Sequence, residues 1–150
     1  MDISSLHDRD EAQDSVQQVA RILVIDDDAS VGAAIRTILG RRQCATVLAS
    51  RAHAGILMLQ SSRFDVVMVD IFMPGLSGLN TIEYIRRESS IPIIAMSGFR
   101  LRNLAGAVDY LGMAAQRGAT LCMRKPFKPS QLIEAVESSI GSRVPEGSPY

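Results

Sequence analysis

The sequence predicts an α/β fold with a parallel sheet covered by helices on both faces. Three observations support this. Short aliphatic runs recur five times along the chain, most of them closed by a polar residue. Between them lie stretches with apolar residues spaced three and four apart. The 150 residues are 47% hydrophobic and 21% charged, which is globular composition in an amount suited to one domain. Fully apolar strands alternating with amphipathic helices need cover on both sheet faces, which is the doubly wound arrangement.

The elements follow in order. Residues 1–19 are polar and acidic and read as a flexible tail, with a nascent helix near 10–19. Ile22-Leu23-Val24-Ile25 is a buried strand stopped by Asp26-Asp27-Asp28. Residues 29–42 form a helix on Val31, Ile35 and Ile38, ended by Gly40, Arg41 and Arg42. Ala45–Ala49 is a weaker strand, and 52–62 a helix on Ile56, Leu57 and Leu59. Residues 65–70, DVVMVD, are a second buried strand run, and Pro74, Gly75 and Gly78 mark the loop after it. A helix over 79–88 turns Leu79, Ile82 and Ile85 to one side.

Residues 91–96 are the fourth strand, with Pro92 tolerated near its start. Residues 98–107 read as an extended loop. Val108, Leu111 and Ala115 indicate a helix ending at Gly118, and Thr120–Met123 a fifth strand. Pro129 suits the first turn of a last helix that buries Leu132, Val136 and Ile140. Lys128 is a poor capping residue there. The expected boundaries are a tail over 1–19, a domain over 20–141 and a second tail over 142–150.

Charge and composition exclude several classes. Sixteen basic and sixteen acidic residues give no net charge, which argues against a general nucleic-acid binder. The acids concentrate in residues 1–14, so the remaining chain carries a small basic excess. Only Lys125 and Lys128 are lysines. No apolar run is long enough for a membrane span, and the N-terminus lacks the apolar stretch of a secretory signal, so a cytoplasmic location is expected. Cys44 and Cys122 form no CxxC pair, and His7 and His53 are too few and scattered for a zinc site.

In a sheet of this kind, ligands bind beyond the carboxyl ends of the strands. The residues there are Asp26 and Asp27, Asp70, Ser97 and Lys125. Three carboxylates brought together repel one another and raise each other's pKa unless a cation intervenes. An oxygen-only ligand set suits a hard divalent ion such as Mg²⁺. A carboxylate beside that ion can attack a phosphoryl group, with a lysine and a hydroxyl to hold the phosphoryl oxygens. Asp28 reads as the cap of the first helix, His53 as a surface helix residue, Arg100 and Arg102 as solvated loop, and Cys122 as a buried small hydrophobe.

Four motifs, each weak alone, together resemble the receiver domains of two-component response regulators: ILVIDDD at 22–28, DVVMVDIFMPGLSG at 65–78, IIAMSG at 93–98 and RKPF at 124–127. The resemblance covers about residues 20–141. It implies a flavodoxin-like (βα)5 sheet in the order 2-1-3-4-5. It implies Asp70 as phosphoacceptor, and Mg²⁺ or Mn²⁺ held by Asp27, Asp70, the Phe72 backbone carbonyl and, through water, Asp26. It further implies Ser97 and Lys125 as phosphoryl contacts and switch residues, and a cis peptide before Pro126. The donor would be a histidine kinase or a histidine phosphotransferase. The protein would signal by protein contact or onward phosphotransfer, catalysing only its own phosphorylation and dephosphorylation.

Three departures stand out. Cys122 occupies the position where the family usually has an inward-turning aromatic. The stretch from Ser97 to Lys125 is longer than in compact members. Only about ten residues follow the last helix, so the chain resembles the single-domain receivers, without a DNA-binding domain. With Cys122 in place of the aromatic, movement is expected in loop 98–107, hinged at Gly98 and Gly106, with partners meeting the last two helices and the fifth strand. The alternative reading is a Mg²⁺-dependent phosphohydrolase with an aspartyl-phosphate intermediate. That class places an acid/base aspartate two residues after the nucleophile, and Phe72 stands there.

Overall fold

The computed structural model describes residues 19–73, 77–98 and 109–141. The strands are β1 (Ala20–Ile25), β2 (Cys44–Ala49), β3 (Val66–Asp70), β4 (Ile93–Ser97) and β5 (Leu121–Arg124). The helices are α1 (Ala29–Gly40), α2 (Ala52–Ser61), α3 (Gly78–Glu88), α4 (Tyr110–Arg117) and α5 (Pro129–Gly141). All pairings are parallel, in the order β2-β1-β3-β4-β5. This is the flavodoxin-like α/β fold.

Alternation along the central strands divides the apolar residues into two cores. Leu23, Ile25, Val67, Val69, Ile93 and Ala95 face α2, α3 and α4, where Ile82, Ile85 and Ala114 meet them. Ile22, Val24, Val66, Met68, Ile94 and Met96 face α1 and α5, against Ile35, Leu39, Leu132 and Val136. Most of these side chains are fully buried, and each contributes about 1.5–3 kcal/mol of hydrophobic stabilisation. The flanking strands β2 and β5 have only partial cover, which explains their weaker apolar signal.

The helix starts follow local chemistry. Asp28 caps α1 by accepting from the Ser30 N–H at 2.9 Å, as its position predicts. Ser77 and Asp109 cap α3 and α4 through the Asn80 and Gly112 N–H groups. Lys128 contributes no side-chain cap. Instead its N–H donates to Gln131 Oε1 at 2.8 Å, the backward half of a capping box.

Several boundaries differ from the sequence reading. β4 begins at Ile93 rather than 91, because Pro92 has no N–H for the ladder; its carbonyl accepts from Val67 N. Thr120 lies ahead of β5 and uses its hydroxyl to accept from Ile93 N at 3.1 Å. α3 starts at Gly78, one residue earlier than periodicity suggests. The turn after α1 is closed by Gln43 at a φ of 60°. The tails at 1–18 and 142–150, the loop at 99–108, and Pro74 and Gly75 lie outside the described residues.

Gly118 closes α4 at a φ of 120°, where L-residues are strained. Its carbonyl accepts from Arg86 Nε and Nη2 at 3.0 and 2.9 Å, tying α4 to α3. A Cβ there would stand 2.7 Å from Arg86 Cγ. Gly118→Ala should therefore destabilise the fold by about 1–3 kcal/mol. Gly40→Ala, at a position with open space, should be neutral or mildly stabilising. Urea denaturation of the two variants checks the contrast.

Candidate functional site

The carboxyl edge of the sheet collects the charged groups because every parallel strand ends there. β1 runs directly into Asp26 and Asp27. Asp26 is buried and fixed: its N–H donates to Ala49 O at 3.0 Å, and its Oδ1 accepts from Asp28 N at 2.9 Å. Asp27 is exposed beside it. Asp70 is the last residue of β3 and only 5% exposed. Its Oδ1 accepts from Phe72 N at 3.1 Å. Oxygens of Asp26, Asp27 and Asp70 all lie within 4.8 Å of one another.

Lys125 follows β5, and its N–H donates to Ser97 O at 2.7 Å. That bond joins the ends of β4 and β5 and aims the lysine back across the edge. Its ammonium ion-pairs with Asp26 Oδ2 and stands 3.5 Å from Asp70 Oδ2. The Lys125–Pro126 peptide is cis, as expected. Ser97 ends β4, buried, one residue beyond the Asp70–Met96 pair.

Asp27, Asp70 and Lys125 border a cleft of about 800 Å³ whose lining also includes Phe72, Val31 and Phe127. The lining mixes charged and apolar side chains. Three carboxylates against one ammonium leave an excess of negative charge, and all the side-chain donors are oxygen. The donor set therefore fits a hard divalent cation.

Burial raises the Asp70 carboxyl to about 6, and the neighbouring Asp26 adds to this, while Lys125 and the Phe72 N–H oppose it. Seryl hydrogen bonds hold Asp28 below the usual carboxylate range. Cys122 is half-buried rather than fully enclosed. Its thiol is pushed up by burial and its Sγ donates to Leu111 O at 3.4 Å.

Two site contacts were not legible in the sequence. A Cβ on Gly78 would overlap the backbone of Asp70 and Ile71, so the start of α3 rests directly on the strand end that carries Asp70. The Gly78 N–H donates to Ile71 O at 3.0 Å. The spacing marks Gly78 only as loop. Tyr110, the first residue of α4, packs its ring against Phe72 across some 40 positions of sequence, and nothing local pairs the two.

Because the fold raises the Asp70 pKa, ionised Asp70 opposes folding. Its cost is absent below about pH 4, where the group is protonated in both states, and is complete above about 6. Asp70→Asn should raise the melting temperature by several degrees at pH 7–8 in chelator. The gain should shrink as pH falls through 6 and vanish near 4. Thermal melts across that range measure it.

Comparison with known proteins agrees with this geometry. The family profile of the response regulator receiver domain matches residues 22–137. The chain is 28% identical over 120 residues to the DNA-binding response regulator MtrA of Mycobacterium tuberculosis, covering 80% of this chain and 50% of that protein. It is 32% identical over 118 residues to the transcriptional regulatory protein YrkP of Bacillus subtilis, covering 75% and 46%. The chain thus spans about half the length of these relatives. A receiver domain structure from Clostridium thermocellum superposes with a TM-score of 0.74 at 28% identity, covering 83% of this chain and 96% of that one. A FixJ-N structure gives 0.73 at 25%, covering 85% and 98%. With the profile spanning all five strands and the acidic edge, the chain belongs to the response regulator receiver domain family.

Proposed function

We propose that Asp70 accepts a phosphoryl group within a two-component phosphorelay. The observation that supports this most is the buried Asp70 carboxylate, set at a strand end between two further aspartates and the Lys125 ammonium. The donor is the phosphohistidine of a histidine kinase or a histidine phosphotransferase. An Asp70 oxygen attacks phosphorus, the phosphorus–nitrogen bond breaks, and the imidazole nitrogen takes up a proton. The attack requires the ionised carboxylate, which Lys125, the Phe72 N–H and a bound cation would favour against the effect of burial.

Each neighbour has a defined part. Asp27, Asp70, the Phe72 carbonyl and, through water, Asp26 would hold Mg²⁺ or Mn²⁺. When bound, that ion offsets the carboxylate charge and withdraws charge from the phosphoryl oxygens. Lys125 is placed to pair with a phosphoryl oxygen in exchange for its contact with Asp70. The Ser97 hydroxyl serves as a second contact and as the switch. Residues 20–141 make up the receiver unit, acting in the cytoplasm, where its kinase partner presents its phosphohistidine.

Phe72 argues against the phosphohydrolase reading. It occupies the position where that class needs an acid/base, and it presents an apolar ring to the cleft. The protein therefore catalyses only its own phosphorylation and dephosphorylation. It signals by protein contact or onward transfer, and the cleft between α4 and α5 over β5 is the output face. That cleft measures about 620 Å³, and Leu111, Cys122 and Ala135 contribute to its lining. Among the described residues, no helix is long and apolar enough to cross a membrane.

Incubation with acetyl phosphate and Mg²⁺ should attach one phosphate, labile in both acid and base, to the wild-type chain and none to Asp70→Asn. Equal labelling of the two, read by intact mass, would reject Asp70 as the acceptor. Lys125→Ala removes a positive charge from the acidic edge. It should bind Mg²⁺ at least as tightly as wild type in calorimetry, yet label at least tenfold more slowly. Unchanged labelling would remove Lys125 from the phosphoryl site.

A further inference from the structure

Phe72 is attached to the site in two ways. Its backbone N–H donates to Asp70 Oδ1, so the placement of residue 72 fixes the carboxylate. Its ring, 37% exposed, borders the cleft that holds Asp27, Asp70 and Lys125. An aromatic ring on an exposed turn swings freely unless something grips it. Here the Tyr110 ring does so, in a T-shaped contact with centroids 4.8 Å apart and planes at 84°.

Tyr110 is itself firmly held. It opens α4, whose first turn is fixed by the Asp109 carboxylate accepting from Gly112 N and by Met113 N donating to Asp109 O. Tyr110, Leu111, Met113 and Cys122 all pack on the core cluster beneath. The Cys122 thiol donates to Leu111 O, joining β5 to the same helix turn. The Tyr110 ring therefore connects a core-anchored helix to an apolar ring that borders the Asp70 cleft.

We propose that Tyr110 is a positioning residue for the chemistry at Asp70: it clamps Phe72 at the mouth of the cleft and so sets how long a phosphoryl group survives there. This rests on the reading of Asp70 as phosphoacceptor. In hydrolysis of the acyl phosphate, a water oxygen bonds to phosphorus while the phosphorus–oxygen bond to Asp70 breaks. The electron pair returns to the carboxylate, and inorganic phosphate and a proton leave. The attacking water lies in line with the bond that breaks and so arrives from the cleft. A ring held at that mouth displaces water and offers it no hydrogen-bond partner. A released ring opens the path.

The test uses the full chain, labelled with radioactive acetyl phosphate and then freed of donor, and follows the half-life of the phosphoprotein. Tyr110→Ala should shorten it by about 2- to 10-fold, the range that an edge-to-face contact supplies. Tyr110→Phe, which keeps the ring, should retain the wild-type half-life. Tyr110→Leu, which keeps bulk and helix propensity without a ring, should behave like the alanine variant and serves if that variant does not fold. Phe72→Ala should shorten the half-life similarly, and adding Tyr110→Ala should shorten it no further. General loosening of α4 would not produce that non-additivity. Equal half-lives in wild type, Tyr110→Ala and Tyr110→Leu, or full additivity with Phe72→Ala, would overturn the proposal while leaving Asp70 as acceptor. A wild-type chain that takes no label would overturn the Asp70 reading and this proposal together.

Discussion

Lys125 sets one ammonium against two buried carboxylates, and much of the site is arranged around that contact. Buried charge survives only when it is paired and hydrogen-bonded. Asp26 meets this condition through Lys125 and the Asp28 amide, Asp70 through Lys125 and the Phe72 amide. Reaching both acids from beyond β5 requires the strand ends to stay in register. The bond from Lys125 N to Ser97 O and the one from Ile71 N to Met96 O maintain it. Asp70 still sits near 6, first because burial strips its carboxylate of water and then because Asp26 stands beside it. Three carboxylates against one ammonium leave the edge attractive to a divalent cation.

The two cores serve this edge from opposite sides. The α1 and α5 side carries Met68, Met96 and Leu132 beneath the site, while the α2, α3 and α4 side carries Val69, Ala95 and Ile82. Fully buried strands such as β3 and β4 cannot slip by one residue without exchanging these sets. The same packing that stabilises the sheet therefore fixes Asp70 and Ser97 at its rim.

Legibility in the sequence followed the kind of interaction that makes each feature. β1, β3 and β4 were legible because burial on both faces leaves uninterrupted aliphatic runs. The acids and Lys125 were legible because parallel topology sends every strand end to one edge. β2 and β5 were fainter, since flanking strands are half covered. The first residue of α3 was missed because Gly78 is required by a backbone approach rather than by periodicity. The role of Thr120 was hidden by its β-branched side chain, which looks like strand but caps a neighbouring strand instead. The Phe72–Tyr110 contact joins two elements that only the completed fold brings together, so no local spacing encodes it.

The direct seating of α3 on the end of β3 divides the rim mechanically. With no side chain between Gly78 and the Asp70 carbonyl, that helix has no slack: a shift there would drag the strand that carries Asp70 with it. Among the described residues, α4 meets that loop through the Phe72 and Tyr110 rings in edge contact, a joint between side chains rather than between backbones. One flank of the site is thus stiff and the other compliant. Any rearrangement that begins at Asp70 should travel along the compliant flank, toward β5 and α5, and leave α3 as the fixed frame against which it is measured.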